Sequence, residues 1–326
     1  MAEKEEEAPT ILTTITKHED FYFINGTHIF QAGMKLYRLH AELLATRIGI
    51  FDVVPLSDRE DGSGDDKQPR KKLQIGAGDG LSDERPIIMD MNMVTSEEFN
   101  ALLDHIYHGE RAIDYSLTYL VAVLKLSQQW DCPSGETFAL RRLKKIERSV
   151  PAALRLRLAR VYRIEDWLKP ALRSVIFTPL KLLSKEDLGW LGYDTYQIIA
   201  RVREQYEVLR KRLAFIPPII SEHLCPNHDV CEKAWKRIWI LQVGERLQEP
   251  ILICALGLGW EIRDVIEKLD VSGMPGQGCG LSAKSSAMNC PGIKADDDLV
   301  DQALELLEKT VPVDRSYFTL DYTKSK

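Results

Sequence analysis

The amino-acid sequence predicts an α+β fold, in which a small N-terminal group of strands and helices is followed by helices alone. Aromatic and β-branched residues from Phe21 to Tyr37 favour strands, and Asn25-Gly26 between them favours the type I′ turn of a β-hairpin. From Thr95 onward, apolar residues recur at helical spacing. Strands near one end of a chain, followed only by helices, are typical of an α+β fold rather than of a doubly wound parallel sheet.

Further elements are predicted in the first third of the chain. A short helix at His40–Ala45 follows the hairpin, and a short strand at Pro86–Met91 precedes a longer helix. Thr95 and Glu98 have the spacing of a capping box, which marks where that helix begins, and Gly109 ends it. The helix has one continuous apolar face, made of Phe99, Leu102, Leu103, Ile106 and Tyr107.

The rest of the chain is predicted to be helical. Apolar spacing indicates a helix at Leu117–Trp130, and prolines, which favour the first helical turn, begin the next two helices at Pro133 and Pro151. The clearest later helices are predicted at Ala152–Tyr162, Trp167–Phe177, Tyr193–Leu213, Val230–Gln242 and Leu299–Lys309.

Composition divides the chain into five predicted segments: an acidic disordered tail at 1–19, a first domain at 20–130, a helical extension at 131–271, a disordered loop at 272–295, and a C-terminal helix and tail at 296–326. The first domain contains a long loop at 55–85 that is polar and rich in glycine. The segment Ser272–Lys294 holds five glycines, two prolines and four serines, which favours a loop over a helix.

Composition also limits the classes of function. The 326 residues are 44% hydrophobic and 28% charged, values typical of a globular protein. No apolar run approaches the roughly 20 residues of a membrane-spanning helix, and Met1–Ala8 is acidic, so we expect no membrane segment and a cytoplasmic or nuclear location. In that reducing environment the six cysteines are expected to be free thiols. The net charge of -6 argues against nucleic acid as the main partner.

Several groups of residues, taken in chain order, resemble a known family. They are Tyr37-x-x-His40-x-x-Leu43-Leu44 with a later Phe51, the strand Ile87–Asp90, Phe99-x-x-Leu102-Leu103-x-x-Ile106-Tyr107-x-Gly109, and Leu124-x-Leu126-Ser127-x-x-Trp130. Their order and spacing resemble those of a BTB/POZ domain. Three later segments, at 158–164, 167–171 and 188–192, are similar to the helical extension of a large group of fungal BTB proteins.

The resemblance implies a non-enzymatic protein–protein interaction module. It implies a homodimer that acts as an adaptor, with a cullin-type ubiquitin-ligase scaffold or a transcription-related protein as the candidate partner. We therefore expect no catalytic residues and no cofactor. In physical terms, a helical hairpin and an exposed sheet edge would present apolar and strand-pairing surface to a second copy or to another chain.

The spacing His223-x-Cys225-x-x-His228-x-x-Cys231 is the strongest chemical pattern in the chain. Two imidazoles and two thiolates are a ligand set of tetrahedral zinc, but the usual finger has two close pairs separated by a dozen or more residues. Cys231 also lies four residues before Trp235, on an apolar helical face. The favoured interpretation is a helix N-terminus with one buried cysteine, and a zinc-stabilised scaffold is the alternative.

Other candidate residues have simpler interpretations. His40 is favoured as a helix histidine in or near the core, because no motif supplies a partner acid or nucleophile. The glycine triplets at Gly76 to Gly80 and Gly276 to Gly280 lack the Lys-Ser/Thr of a phosphate-binding loop and are interpreted as linkers. The basic stretch at 141–163 could bind nucleic acid or an acidic protein, but its apolar face favours a solvated helix surface.

Overall fold

The computed structural model describes residues 15–49, 79–89, 94–221, 225–248 and 258–313. Contacts divide the chain into two compact units, the first made of Met1–Glu147 with Ser316–Lys326 and the second of Arg148–Arg315. Some positions and segments of the sequence analysis lie outside the described residues: Phe51, Gly76, Gly78, Asp90, His223, Cys254, and the ranges 1–14, 55–78 and 314–326.

Within its described residues, the first unit contains a four-stranded mixed sheet. Its strands are β1 (Thr16–Tyr22), β2 (His28–Ala32), β3 (Lys35–Leu39) and β4 (Ile87–Ile88), in the order β1-β3-β2-β4. β2 and β3 are antiparallel, with Phe30 opposite Tyr37, whereas β1 is parallel to β3 and β4 is parallel to β2. The mixed sheet followed by helices agrees with the predicted α+β class, and β1 and β4 are its two edges.

The predicted hairpin turn at Asn25-Gly26 is wrong, because the turn lies at Gly33-Met34 between β2 and β3. Gly33 has a φ of +58°, in the left-handed region that glycine adopts without strain. Glycine is required at position 26 for a steric reason, because a Cβ there would lie only 2.7 Å from the carbonyl oxygen of Arg38. It permits the chain that leaves β1 to pass close to β3, where Arg38 Nε donates a hydrogen bond to the Gly26 carbonyl at 2.9 Å.

β1 begins inside the segment predicted to be a disordered tail, because its residues have partners elsewhere in the first unit. The Thr16 amide donates to the Met34 carbonyl at 3.0 Å. Lys17 Nζ lies 2.8 Å from the carboxylate of Asp83, which also accepts a hydrogen bond from the Tyr22 hydroxyl. Asp83 belongs to the predicted loop at 55–85, whose described residues, 79–85, form turns and bends as expected of a loop.

The helices of the first unit are α1 (Ala41–Arg47), α2 (Ser96–His108), α3 (Leu117–Trp130) and α4 (Pro133–Ile146). The predicted capping box is confirmed, since Thr95 and Glu98 each accept the other's backbone amide. Gly109, with a φ of +67°, ends α2 as predicted. The Phe99 ring packs edge-on against Tyr37 at 4.9 Å and against Trp130 at 5.8 Å, so the sheet, α2 and α3 share one core.

His105, on α2, gives the first unit a pH-dependent stability. Its buried ring stacks on Phe138, with centroids 4.6 Å apart, and Nδ1 has no hydrogen-bond partner within the described residues. Burial, assisted by the positive charge of Arg47, lowers the pKa of His105 from its ordinary value of 6.5. Because the unfolded chain then binds the proton more readily than the folded chain, stability is lost as the pH falls below about 6.5.

We expect the variant His105→Phe to lose part of this pH dependence, because the phenyl ring retains the stack but cannot titrate. Its melting temperature should fall less than that of the wild type between about pH 7.5 and about pH 5.5. His108→Gln, which changes an exposed histidine on the same helix, is the control and should behave like the wild type. An equal fall for all three proteins would contradict the prediction.

The second unit is helical throughout its described residues. Its helices are α5 (Ala152–Tyr162), α6 (Glu165–Phe177), α7 (Lys185–Phe215), α8 (His228–Trp239), α9 (Glu245–Gln248), α10 (Leu258–Lys268), α11 (Gln277–Met288) and α12 (Pro291–Thr310). All five predicted later helices are confirmed, with differences at their ends. α7 is interrupted at Gly192, whose φ is +72°, immediately before the predicted start at Tyr193. Among the described residues, no helix has the length and apolar composition needed to cross a bilayer.

Two apolar clusters hold the second unit together. The first includes residues of α5, α6, α7 and α12, among them Leu172, Ile199 and Val300. The second surrounds Trp235 and Trp239 of α8 and includes residues of α10 and α11. Both indole nitrogens are satisfied, since Trp235 donates to the Pro218 carbonyl at 2.9 Å and Trp239 to the Leu213 carbonyl at 2.7 Å. The candidate site described below borders this second cluster.

The predicted disordered loop at 272–295 differs from the structure, which has α11 and the start of α12 in that segment. Its small residues allow close packing: Ala283 and Ala287 are fully buried. A Cβ on Gly280 would lie 3.0 Å from a Val271 methyl group. The glycine and alanine content that favoured a loop therefore gives α11 a face that packs against its neighbours.

Candidate metal centre and interaction surface

Three cysteine sulfurs converge in the second unit beside the first turn of α8. Cys225 precedes α8, Cys231 lies on α8 and Cys279 lies on α11. Their Sγ atoms all lie within 4.8 Å of one another, and those of Cys225 and Cys231 are 3.9 Å apart, too far for a disulfide bond of about 2.05 Å. His228 places its Nδ1 atom 3.9 Å from Cys279 Sγ. Three thiols that can bind a metal ion are thus gathered together, and an imidazole lies beside one of them.

The local sequence gathers three of these side chains. Cys225, His228 and Cys231 are spaced three residues apart, so the turn before α8 and the first turn of α8 direct them to the same side. The His228 amide donates to the Cys225 carbonyl at 3.2 Å, and the Cys231 amide donates to the Asn227 carbonyl at 3.0 Å. These backbone hydrogen bonds fix the spacing between the three residues.

Gly276, the N-cap of α11, lies against the sulfur cluster. Its amide donates a hydrogen bond to Cys231 Sγ at 3.2 Å. A Cβ at this position would lie 2.8 Å from Cys225 Sγ and 3.3 Å from Cys231 Sγ, so a side chain would displace the sulfurs. Glycine therefore allows the backbone that leads into α11 to approach the cluster and supply an N–H donor.

The protonation of the cysteine sulfurs depends on whether a cation is bound among them. Burial, followed by the neighbouring thiols of Cys225 and Cys231, raises the pKa of Cys279 to about 12. With no cation present, Cys279 is therefore a neutral thiol at physiological pH. A bound cation would favour the thiolate instead, because it stabilises negative sulfur.

The sequence pattern found only part of this cluster. It grouped Cys225, His228 and Cys231 with His223, which lies outside the described residues. The favoured interpretation describes Cys231 correctly, since that side chain is fully buried at the start of a helix. It misses Cys279, whose segment was predicted to be disordered. The signal that could have found Cys279 is the presence of further cysteines, Cys279 and Cys290, in the glycine-rich segment that follows the pattern.

The first unit presents a sheet edge at β4. The Ile88 side chain is 64% exposed, although Ile87 beside it is buried. The Met89 amide donates to the Gln31 carbonyl of β2. Because successive amides of a strand point to opposite sides, the Ile88 amide points away from β2. Within the described residues, no strand pairs with this outer side of β4.

A groove of about 740 Å³ lies between β1 and the α2–α3 hairpin of the first unit. Its central carboxylate, Asp104, accepts hydrogen bonds from Arg111 at 2.5 Å and from the Tyr119 hydroxyl at 2.9 Å. Burial, followed by the neighbouring Asp104, raises the pKa of Tyr119, so this phenol remains protonated. His108 Nδ1 lies 3.0 Å from the same carboxylate. His108, Arg111 and Tyr119 of the groove are therefore all engaged with Asp104.

Several arginines of the basic stretch at 141–163 pair with other groups of the same chain. In the first unit, Arg141 and Arg142 both pair with Glu110. In the second unit, Arg160 donates to the Val311 carbonyl at 2.5 Å, and its burial lowers the pKa of that guanidinium. These contacts reduce the positive charge that the stretch offers to a nucleic acid.

His40 lies at the N-cap of α1, where it packs with aromatic residues. Its ring lies 5.1 Å from that of Phe23, and its Nδ1 atom is 3.2 Å from the Tyr107 hydroxyl. The backbone amide of His40 also donates to that hydroxyl, at 3.1 Å. These contacts agree with the favoured interpretation, a histidine hydrogen-bonded near the core.

No model of a protein family, no curated protein and no solved structure matches this chain.

Proposed function

We propose that this chain is a non-enzymatic protein–protein interaction module, whose first unit is BTB/POZ-like and binds a second copy of the chain. The observation that carries the proposal is the outer side of β4, where Ile88 is 64% exposed and its amide points away from the sheet. An exposed edge with an apolar side chain is a template for pairing with another strand. In a symmetric dimer, the same edge serves both partners.

The packing of the first unit supports the BTB/POZ part of the proposal. Many of the described residues that carry the resemblance lie together in its core. Tyr37 packs on Phe99, and Phe99 packs on Trp130. The buried side chains of these segments include Tyr37, Leu39, Leu44, Ile87, Met89, Phe99, Leu102, Leu103, Ile106, Leu124, Leu126 and Trp130.

The adaptor role and the location are further parts of the proposal. If the first unit forms the dimer, the helical second unit can bind another protein. The resemblance to BTB/POZ proteins implies that this partner is a cullin-type scaffold or a transcription-related protein. A cytoplasmic or nuclear location goes with both partner classes. The competing function, binding of nucleic acid through 141–163, is opposed by the engagement of Arg141, Arg142 and Arg160 within the protein.

Sedimentation equilibrium over a concentration series tests the proposed dimer. The wild type is expected to be a dimer at micromolar concentration. Ile88→Lys is expected to raise the dissociation constant by at least about tenfold, equivalent to about 1.4 kcal/mol, because a lysine charge would lose its hydration at the paired edge. Ile219→Lys, which changes an isoleucine that is 83% exposed in the second unit, is the matched control.

The possible outcomes test two claims separately: that the chain forms a dimer, and that β4 forms the dimer interface. A wild type that remains monomeric at every concentration would refute the dimer. A dimer that Ile88→Lys and Ile219→Lys leave equally stable would place the interface away from β4. Retention of the wild type on nucleic acid that decreases with salt would favour the competing function instead.

A further inference from the structure

We propose that Cys225, His228, Cys231 and Cys279 bind one structural zinc ion in the second unit. The carrying observation is the convergence of three thiols from two separate segments of the chain, with the His228 imidazole beside one of them, Cys279. This site is independent of the dimer proposed above, because all four residues belong to the second unit.

The donor set suits zinc. Three cysteine thiolates and one histidine nitrogen form one of the usual tetrahedral structural sites of this metal. Four protein ligands leave no open position for water or substrate, so the site is structural rather than catalytic. An iron–sulfur cluster would ordinarily use four cysteines, and the three thiols here include no fourth within the described residues.

The distances also suit a single ion. Two sulfurs that are each about 2.3 Å from one tetrahedral zinc ion lie about 3.8 Å from each other. The observed separation of Cys225 Sγ and Cys231 Sγ is 3.9 Å. The imidazole nitrogen of His228 is also 3.9 Å from Cys279 Sγ, where a sulfur and a nitrogen on the same ion would be about 3.5 Å apart.

The surroundings of the cluster support bound thiolates. Gly276 donates its amide to Cys231 Sγ at 3.2 Å, a contact typical of the groups that orient metal ligands. The lack of a side chain on Gly276 leaves the sulfurs free to approach one another. Cys231 and Cys279 are fully buried, so water would have little access to the ion from their side.

Binding would change the charge of the site in a defined way. Three thiols release three protons to the solvent, His228 binds as the neutral imidazole, and the zinc complex carries one net negative charge. Affinity should therefore fall as the pH decreases, because protons compete with the ion for the sulfurs.

Metal analysis of the purified full chain tests the proposal. One zinc ion per chain is expected for the wild type, and Cys279→Ser and His228→Ala should each weaken binding by more than the 10- to 100-fold typical of changes around a metal site. A matched control should retain one zinc ion. Cys290→Ser changes a cysteine of the same unit that lies outside the cluster.

A substitution that keeps a metal ligand at position 228 distinguishes the loss of a ligand from misfolding of the variant. His228→Cys is expected to bind one metal ion with four sulfurs, and cobalt substituted for zinc should show a stronger sulfur-to-metal charge-transfer band than in the wild type. Zinc well below one equivalent in the wild type, with no cobalt spectrum, would overturn the proposal. So would a disulfide among the three cysteines, copper in place of zinc, or unchanged affinity in Cys279→Ser.

Discussion

Removal of zinc by a chelating phenanthroline is expected to open α8 and α11 to trypsin. The ion would link the start of α8 to α11, two helices that the sequence separates by a long stretch of chain. Zinc in small structural domains contributes about 10–16 kcal/mol of apparent binding free energy, comparable with the whole stability of an ordinary domain. Cleavage at Lys236 on α8 and at Lys284 on α11 should therefore become fast when the metal is removed.

The experiment has three kinds of control: a non-chelating isomer of the reagent, a cleavage site in the first unit, and two cysteine variants. The isomer of phenanthroline that cannot chelate should leave the cleavage unchanged. Lys144 on α4, in the first unit, should be cut at the same rate with and without the chelator. Cys279→Ser should be cut rapidly before any chelator is added, whereas Cys290→Ser should resist like the wild type. Equal rates of cleavage at Lys284 with and without metal would contradict the expected role of zinc.

Lys125→Met is expected to destabilise the first unit by about 3–5 kcal/mol. Lys125 Nζ lies 2.7 and 2.8 Å from the two carboxylate oxygens of Glu98. The Glu98 side chain is 1% exposed, so removal of the lysine charge would leave a buried carboxylate that still accepts a hydrogen bond from the Thr95 amide but has lost its counter-ion. A buried charge without its counter-ion carries a large desolvation cost.

Native-state hydrogen exchange of the α2 amides measures this effect within the first unit. The double variant Glu98→Gln with Lys125→Met should be destabilised less than Lys125→Met alone, because a neutral amide can still accept from Thr95. Lys268→Met removes an exposed partner of Asp264 in the second unit and should change stability by less than about 1 kcal/mol. A loss in Lys125→Met no greater than that in Lys268→Met would show that the buried pair contributes little.

Features that depend on near neighbours in sequence were predictable. The capping box of Thr95 and Glu98 and the stop at Gly109 each involve residues within one or two helical turns. The helix at Ala152–Tyr162 has the predicted bounds, because its apolar spacing and the preceding proline are local signals. The aromatic and β-branched residues around Phe30 and Tyr37 likewise indicated strands.

Features that depend on distant partners were not predictable. The parallel pairing of β1 with β3 moves the hairpin turn to Gly33-Met34, although Asn25-Gly26 has the better turn sequence. Gly26 is glycine because Arg38 lies close to it, and no local pattern records that contact. Cys279, a ligand of the proposed zinc site, reaches the cluster only because α11 packs beside α8. The small residues of α11 have a composition typical of a loop, and only their packing against neighbouring helices shows why they form a helix.

Hydrogen exchange of the Ile88 amide, compared at protein concentrations well above and well below the dissociation constant, tests the central claim most directly. Pairing of the β4 edge with a second copy predicts that this amide exchanges more slowly at the high concentration, because it then donates to another chain. The amide of Met89, which already donates to Gln31, should change less and serves as the internal reference. Identical exchange of Ile88 at both concentrations, while the chain is dimeric at the higher one, would contradict the claim that β4 forms the interface.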